Sequence, residues 1–341
     1  MHKSTCAAPA TVPKSTEVCL RRLPATRFVW TLVTNAPECC FARWSSRSMI
    51  AFSGLRSDCT PSGLASSPPS PISDEDGTVK AIDVSRVFIT GSTDGLGLAA
   101  ALTLVDEGHE VVFHARSAER ASAIEDLKPR SLSVVVGDLA SDTETRSVAD
   151  QVNRIGRMNA IIHNAGIYRE ASRRATPEGH ASILAINTLA PYLLTALIKR
   201  PDRLIYLSSG MHQGGGGPVD DIDWKQRPWN ATRAYSESKL HVATIAAAVA
   251  RNWPDVVSNA VDPGWVPTKM GGAGAPDDFQ MGYQTQTWLA TSDDEKAKIS
   301  GAYWFHRQHR QPAAQVTDPE YQDMLVAKLQ ELTGVRLFDI R

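Results

Sequence analysis

Tyr235 and Lys239 stand four residues apart in Tyr-Ser-Glu-Ser-Lys. On a helix that spacing turns a phenol and an ammonium to the same side. A free tyrosine titrates near ~10 and shuttles protons poorly at neutral pH. A neighbouring ammonium favours the phenolate and brings the group toward the working range. Alone the pair is weak, because the chain has seven tyrosines. About 145 residues upstream lies Thr90-Gly91-Ser92-Thr93-Asp94-Gly95-Leu96-Gly97, directly after the apolar run Val87-Phe88-Ile89. Glycines at a strand-to-helix turn let the backbone approach a pyrophosphate, and the helix N-terminus offers unpaired N–H donors. The spacing is Thr-Gly-x-x-x-Gly-x-Gly rather than Gly-x-Gly-x-x-Gly. Together the two patterns point to nicotinamide-dependent interconversion of a carbonyl and an alcohol.

The elements that must hold these groups follow from about residue 82 onward. Short apolar runs occur at Arg86–Thr90, Glu110–His114, Ser133–Val136, Ala160–His163, Leu204–Leu207 and Val257–Val261. Helix-length stretches separate them, among them Gly97–Glu107, Thr143–Ile155, Gly179–Leu197 and Ala234–Arg251. Strands alternating with helices imply right-handed crossovers and a parallel sheet, and apolar strands without polar alternation fit burial on both faces. The expectation is an α/β fold: a single Rossmann-type, doubly wound parallel sheet with helices on both faces, over residues 81–341.

At the tip of the second strand, Ala115 stands where an acid would bind a ribose 2′-hydroxyl, and Arg116 follows. A guanidinium fork suits phosphate, so NADP(H) is favoured, with NAD(H) as the alternative. Arg120 is a candidate helper, Asp94 is a counter-argument, and a solvent-facing strand cap is the plain reading of Arg116.

The order of further motifs over roughly residues 84–310 resembles the short-chain dehydrogenase/reductase family, and the long insert between Ser209 and Tyr235 with Gly301-Ala302-Tyr303-Trp304-Phe305 resembles its retinol-dehydrogenase-like branch. Thr90–Gly97 matches the family's cofactor turn. Asp138-Leu139 follows the third strand, where the family places an Asp near the adenine. His163-Asn164-Ala165-Gly166 matches Asn-Asn-Ala-Gly, with His163 in place of the first Asn. Pro263-Gly264-Trp265-Val266-Pro267-Thr268 resembles the segment that holds the nicotinamide. The resemblance implies cofactor contacts at Gly91, Ser92, Asp94, Gly95, Leu96, Gly97, Arg116, Asp138, Leu139, Asn164, Ala165, Gly166, Pro263, Gly264, Val266 and Thr268, with Tyr235 and Lys239 shared.

The same resemblance implies a catalytic set of Asn187, Ser209, Tyr235 and Lys239. Tyr235 would give its proton to the carbonyl oxygen, and Ser209 would hydrogen-bond that oxygen. Lys239 would lower the Tyr235 pKa and bind ribose hydroxyls. Asn187, through its backbone carbonyl, would hold a relay water. Pairing as a homodimer or homotetramer through the helices of Asn187 and Tyr235 is the family analogy, with a long insert as an argument for a monomer. A sugar-nucleotide epimerase or dehydratase, and a dinucleotide sensor without turnover, are the competing readings. The glycine spacing counts against the first and the retained Tyr and Lys against the second.

Ser209 and Tyr235 lie 26 residues apart, and the insert between them carries Gly214–Gly217, Asp220, Asp221, Asp223, Trp224 and Trp229. It is expected at the pocket mouth, with Met211, His212, Trp224, Trp265 and Tyr283 as candidate walls for an apolar carbonyl compound. Lys269–Gln286 is expected to be a mobile lid, and His212 a surface or loop residue. His306 and His309, in a basic run, read as a solvated face rather than a metal site.

The rest of the composition narrows partners. Hydrophobic residues make up 42% and the net charge is -1, which gives no reason to expect nucleic acid. No run of ~18 apolar residues suggests a membrane span. Residues 1–72 carry eight Lys/Arg against three Asp/Glu (+5), so the remainder carries -6. All five cysteines lie in the first 59 residues, which rules out a disulfide framework in the main domain. Residues 1–80, ending near Ser66-Ser67-Pro68-Pro69-Ser70-Pro71, read as a disordered or targeting extension, or as a start placed before Met49. A cytoplasmic location is expected, with mitochondrial or plastid import as the alternative.

Overall fold

The computed structural model describes residues 83–338, Arg169 excepted. The expectations for the cysteine-bearing N-terminal segment lie outside the described residues. Each short apolar run becomes a strand: β1 (Arg86–Ile89), β2 (Glu110–Ala115), β3 (Ser133–Val136), β4 (Ala160–His163), β5 (Arg203–Leu207) and β6 (Val257–Asp262). Two more, β7 (Tyr303–Phe305) and β8 (Gln308–Arg310), extend the expected set. The order is β3-β2-β1-β4-β5-β6-β7-β8. Neighbours through β7 pair in parallel, and β8 alone returns antiparallel as an edge hairpin.

The helices are α1 (Gly95–Asp106), α2 (Ala118–Ser122), α3 (Asp142–Ile155), α4 (Ser182–Leu184), α5 (Ala190–Leu197), α6 (Ala231–Asn252), α7 (Phe279–Thr291), α8 (Ala314–Thr317) and α9 (Pro319–Thr333). Successive strand residues point to opposite faces, so the sheet buries two cores. Phe88 joins the layer of α3, α5, α6 and α9, with Val148, Leu194, Val249 and Leu329. Val87 and Ile89 join the layer of α1 and α7, with Leu104 and Leu289. Each fully buried side chain of this size contributes about 1.5–3 kcal/mol. The doubly wound architecture is as expected from the alternating pattern.

Caps set where the key helices begin. Asp94 is extended and its side chain accepts from Gly95 N, so α1 starts at Gly95 rather than Gly97. Asn230 accepts from Arg233 N and starts α6 three residues earlier than periodicity suggests. Every residue of α6 from Ala234 to Val249 is buried, because α8 and α9 cover its outer side. The helix face that the resemblance offers for pairing with a second chain is therefore already covered by this one. No helix among the described residues is long and apolar enough to cross a membrane.

Strand order reverses between β1 and β4, which opens a crevice at the carboxyl ends of the strands. The glycine turn after β1, the Asn164–Gly166 segment after β4, Ser209 after β5 and Pro263-Gly264 after β6 all lie at that end.

Candidate active site

The glycine turn is built from inside the sheet. Gly91 has φ +63° and Gly95 φ +53°, a left-handed conformation that side chains disfavour. A Cβ on Gly97 would stand 2.3 Å from Asn164 Nδ2 and 2.5 Å from Gly91 O. Asn164 Nδ2 donates to Thr90 O at 2.9 Å, and Ala165 N donates to Thr90 Oγ1 at 3.0 Å. The β4 segment thus clamps the turn. His114 supports it from the other side. Its Nδ1 accepts from Gly91 N at 2.9 Å, and its Nε2 donates to Gly137 O at 2.9 Å. Burial lowers its pKa to about 4, so the ring stays neutral and keeps that one tautomer. Sequence reading missed His114, since nothing but its place at a strand end marked it.

Other predicted contacts divide. Ser92 donates to Ile89 O and accepts from His114 N, so its hydroxyl serves the turn itself. Asp138 caps the turn after β3 by accepting from Ala140 N, and the Leu139 side chain is buried in the core. Asp94 pairs with Arg120 and Lys269, and Lys269 above all holds its pKa below the usual carboxylate range. Arg116 is exposed at the tip of β2. His163, in place of the family's Asn, is buried and stacks on Tyr206 with centroids 4.7 Å apart.

Asn187 sits in a single π-helical turn, Ala185–Leu189, between α4 and α5. Such turns re-aim side chains and cluster at functional sites. Its amide accepts from Ile167 N at 2.9 Å and donates to Ile167 O at 3.0 Å and to Ser238 Oγ at 2.9 Å. It thereby ties the loop after β4 to α6. Lys239, also on α6, donates from Nζ to Leu207 O at 2.8 Å. A Cβ on Gly166 would reach within 3.3 Å of that Nζ.

Tyr235 and Ser209 line one cleft together, and Ser209 is near enough to favour the Tyr235 phenolate against the effect of burial. Lys239 Nζ lies 5.6 Å from the Tyr235 ring centroid, and Tyr168 tilts against the other side of that ring at 4.4 Å. The cleft measures about 510 Å³. Its wall includes Leu96 of the glycine turn together with Pro263, Gly264, Val266 and Thr268. Groups from four separate loops therefore converge.

Burial dominates the electrostatics of the cleft. Burial pushes the Tyr235 phenol up to about 12; Ser209 works against this, and nearby Asp262 and Tyr168 add to it. Burial likewise lowers Lys239 to about 8, against the pull of Asp262. Lys239 Nζ is turned to Leu207 O, and burial sets the direction of the Tyr235 shift, opposite to the expected lowering. The phenol therefore rests protonated at neutral pH. Asp262, at the end of β6, was missed by sequence reading, and burial raises it above the usual carboxylate range.

The substrate side also departs from expectation. Met211 and Trp265 line the cleft; His212, Trp224 and Tyr283 do not. The insert turns away from the mouth and packs on α6, where its own Arg227 reaches the Glu237 carboxylate of that helix. Asp221 and Glu237 share Arg227, and Asp223 is held by Arg173, His180 and Lys225. A Cβ on Gly215 would lie 2.5 Å from Ser236 O, so the glycines serve close packing. His212 is buried: Nδ1 donates to Ser209 O at 2.8 Å and Nε2 accepts from Ala313 N at 3.0 Å. It fixes the backbone of Ser209. The second half of the expected lid is helix α7, with Gln286 fully buried. The first half is tied down where Trp265 Nε1 donates to Gly271 O at 2.8 Å. His306 and Arg307 adopt positive φ in the β7–β8 turn, and β8 is exposed.

The model of the short chain dehydrogenase family matches residues 85–278. The chain is a member of the short-chain dehydrogenase family. Among its relatives, the short-chain dehydrogenase chyC of Penicillium rubens is 38% identical over 258 residues, covering 74% of this chain and 99% of the relative. Human retinol dehydrogenase 13 is 28% identical over 290 residues, covering 75% of this chain and 86% of the relative. The crystal structure of an uncharacterised protein from Mycobacterium paratuberculosis shares the fold of this dehydrogenase. It superposes with a TM-score of 0.64 at 24% identity, over 74% of this chain and 94% of that one. The dehydrogenase is accordingly an oxidoreductase of that family with a Rossmann-type fold.

Proposed function

We propose that this dehydrogenase interconverts a carbonyl and an alcohol with NADP(H), using Tyr235 as the acid and base. The observation that carries the reading is that Tyr235 and Ser209 line one cleft together, a cleft that Leu96 of the glycine turn also lines. The residues fit the cofactor. The Cβ-free approach at Gly97 and the left-handed Gly91 leave backbone bare at the start of α1, where a pyrophosphate would meet unpaired amides.

A bound nicotinamide supplies or accepts the hydride at the substrate carbon. Tyr235, protonated at rest, hands its proton to the carbonyl oxygen, and Ser209 stabilises the charge that develops there. Lys239 uses one N–H on Leu207 O, which leaves two for ribose hydroxyls and for the phenolate that follows proton transfer. Asn187 holds the loop after β4 against α6, so that Gly166 stays beside Lys239.

NADP(H) rather than NAD(H) rests on Arg116. Arg120 is engaged by Asp94, as is Lys269, while Arg116 stands exposed just past the end of β2. Arg116→Ala should weaken NADPH binding by about 10- to 100-fold, the worth of a lost charge-assisted contact, and leave NADH binding unchanged. Fluorescence titration with both cofactors measures this. An equal loss for the two would sink the assignment of Arg116 to the 2′-phosphate.

A further inference from the structure

Most of the cleft wall is apolar: Leu96, Tyr168, Met211, Trp265, Met270 and Phe305. Set into it are two carboxylates, Asp262 and Asp277, and no Lys, Arg or His. Asp277 is committed to the loop, accepting from Trp265 N at 2.6 Å. Asp262 is placed differently. Its Oδ1 accepts from Gly264 N at 3.0 Å, and its carboxylate lies beside the Gly210 backbone. A Cβ on Gly210 would lie 3.1 Å from its Oδ2. The carboxylate thus stands beside the residue that follows Ser209, bridging that segment to the Pro263-Gly264 turn. A carboxylate has about four acceptor positions, and the Gly264 amide leaves others for the cleft. The proton transfer described above makes no use of it.

We propose that Asp262 sets substrate specificity by accepting a hydrogen bond from a hydroxyl close to the reacting carbonyl, so that the site selects neutral hydroxy ketones over plain ketones and over keto acids. The inference rests on the reading of this cleft as the carbonyl site. With the carbonyl oxygen between Tyr235 and Ser209, a hydroxyl one or two carbons away falls on the Asp262 side. A hydroxyl donor gains from the acceptor positions that Asp262 still offers, and a substrate carboxylate meets like charge with no Lys, Arg or His in the cleft wall to offset it. The apolar wall takes the remainder of such a molecule.

The test pairs 2-hydroxyacetophenone with acetophenone, adds phenylglyoxylate as the acid, and uses the full chain with NADPH. Wild type should show the higher kcat/KM for the hydroxy ketone. In Asp262→Ala that preference should fall by about 10- to 100-fold, any change in turnover common to both ketones cancelling in the ratio, and with Asp262→Asn in between. Phenylglyoxylate should improve in both variants. Because the preference is a ratio within one preparation, a partly unfolded fraction cancels. Equal loss on both ketones, or an unchanged preference, overturns the assignment of Asp262. If wild type reduces neither ketone, the reductase reading fails separately, and calorimetric binding of the same two ketones then decides on Asp262. Tighter binding of the hydroxy ketone that is lost in Asp262→Ala supports it; equal binding by wild type overturns it.

Discussion

Tyr235→Phe is expected to lower kcat for ketone reduction by about 10²- to 10⁴-fold, the usual worth of a positioned general acid. The change removes one oxygen and keeps the ring that rests against Tyr168. Removing one hydroxyl costs about 0.5–1.5 kcal/mol of stability, the worth of a single hydrogen bond, too little to unfold the domain. NADPH affinity should hold, since the glycine turn and Arg116 are untouched. Stopped-flow turnover beside a cofactor titration separates the two effects. Turnover that survives in Tyr235→Phe would remove the proposed acid.

Ser209→Ala should cost about 10²- to 10³-fold in kcat, as expected for one donor to a developing oxyanion. The effect is distinct from that of Tyr235. Ser209 caps the turn that follows β5 by accepting from Met211 N at 3.3 Å, and His212 holds its carbonyl independently of the side chain. The backbone therefore stays in place when the hydroxyl is removed. Ser209→Thr, which restores a hydroxyl, should recover part of the rate. Equal kcat in Ser209→Ala and wild type would place the carbonyl oxygen elsewhere in the cleft.

Much of this was legible in the chain because the signals are local. Val87-Phe88-Ile89 followed by Gly91, Gly95 and Gly97 announces a strand, a turn and a helix start within a dozen residues. Tyr235 and Lys239 need only helical spacing to share a side. The meeting of Ser209 with Tyr235 is different in kind. It depends on β5 and α6 packing across an insert, and only the order of family motifs pointed to it.

The misreadings have physical causes. Glycine-rich Gly214–Gly217 reads as flexible, yet Gly217 lacks a Cβ because one would lie 2.2 Å from Glu237 Oε1. The β7–β8 hairpin is joined through His306 and Arg307 at positive φ rather than through Gly or Asn, so the usual turn signal is missing. The direction of the Tyr235 shift follows from its burial, which spacing alone does not reveal. His114 matters through its hydrogen bond to the distant Gly91 amide, and Asp262 through its bond to the Gly264 amide and its place beside distant Gly210.

The central claim is that the cleft over Tyr235 and Ser209 joins a nicotinamide to a substrate carbonyl. Its most direct test is the fate of the label when NADPH deuterated at the transferring C4 position is used with any ketone the enzyme consumes. Mass spectrometry of the alcohol should find one deuterium on the carbinol carbon, with none exchanged into water. An alcohol lacking that deuterium, formed as the cofactor is oxidised, would contradict the account.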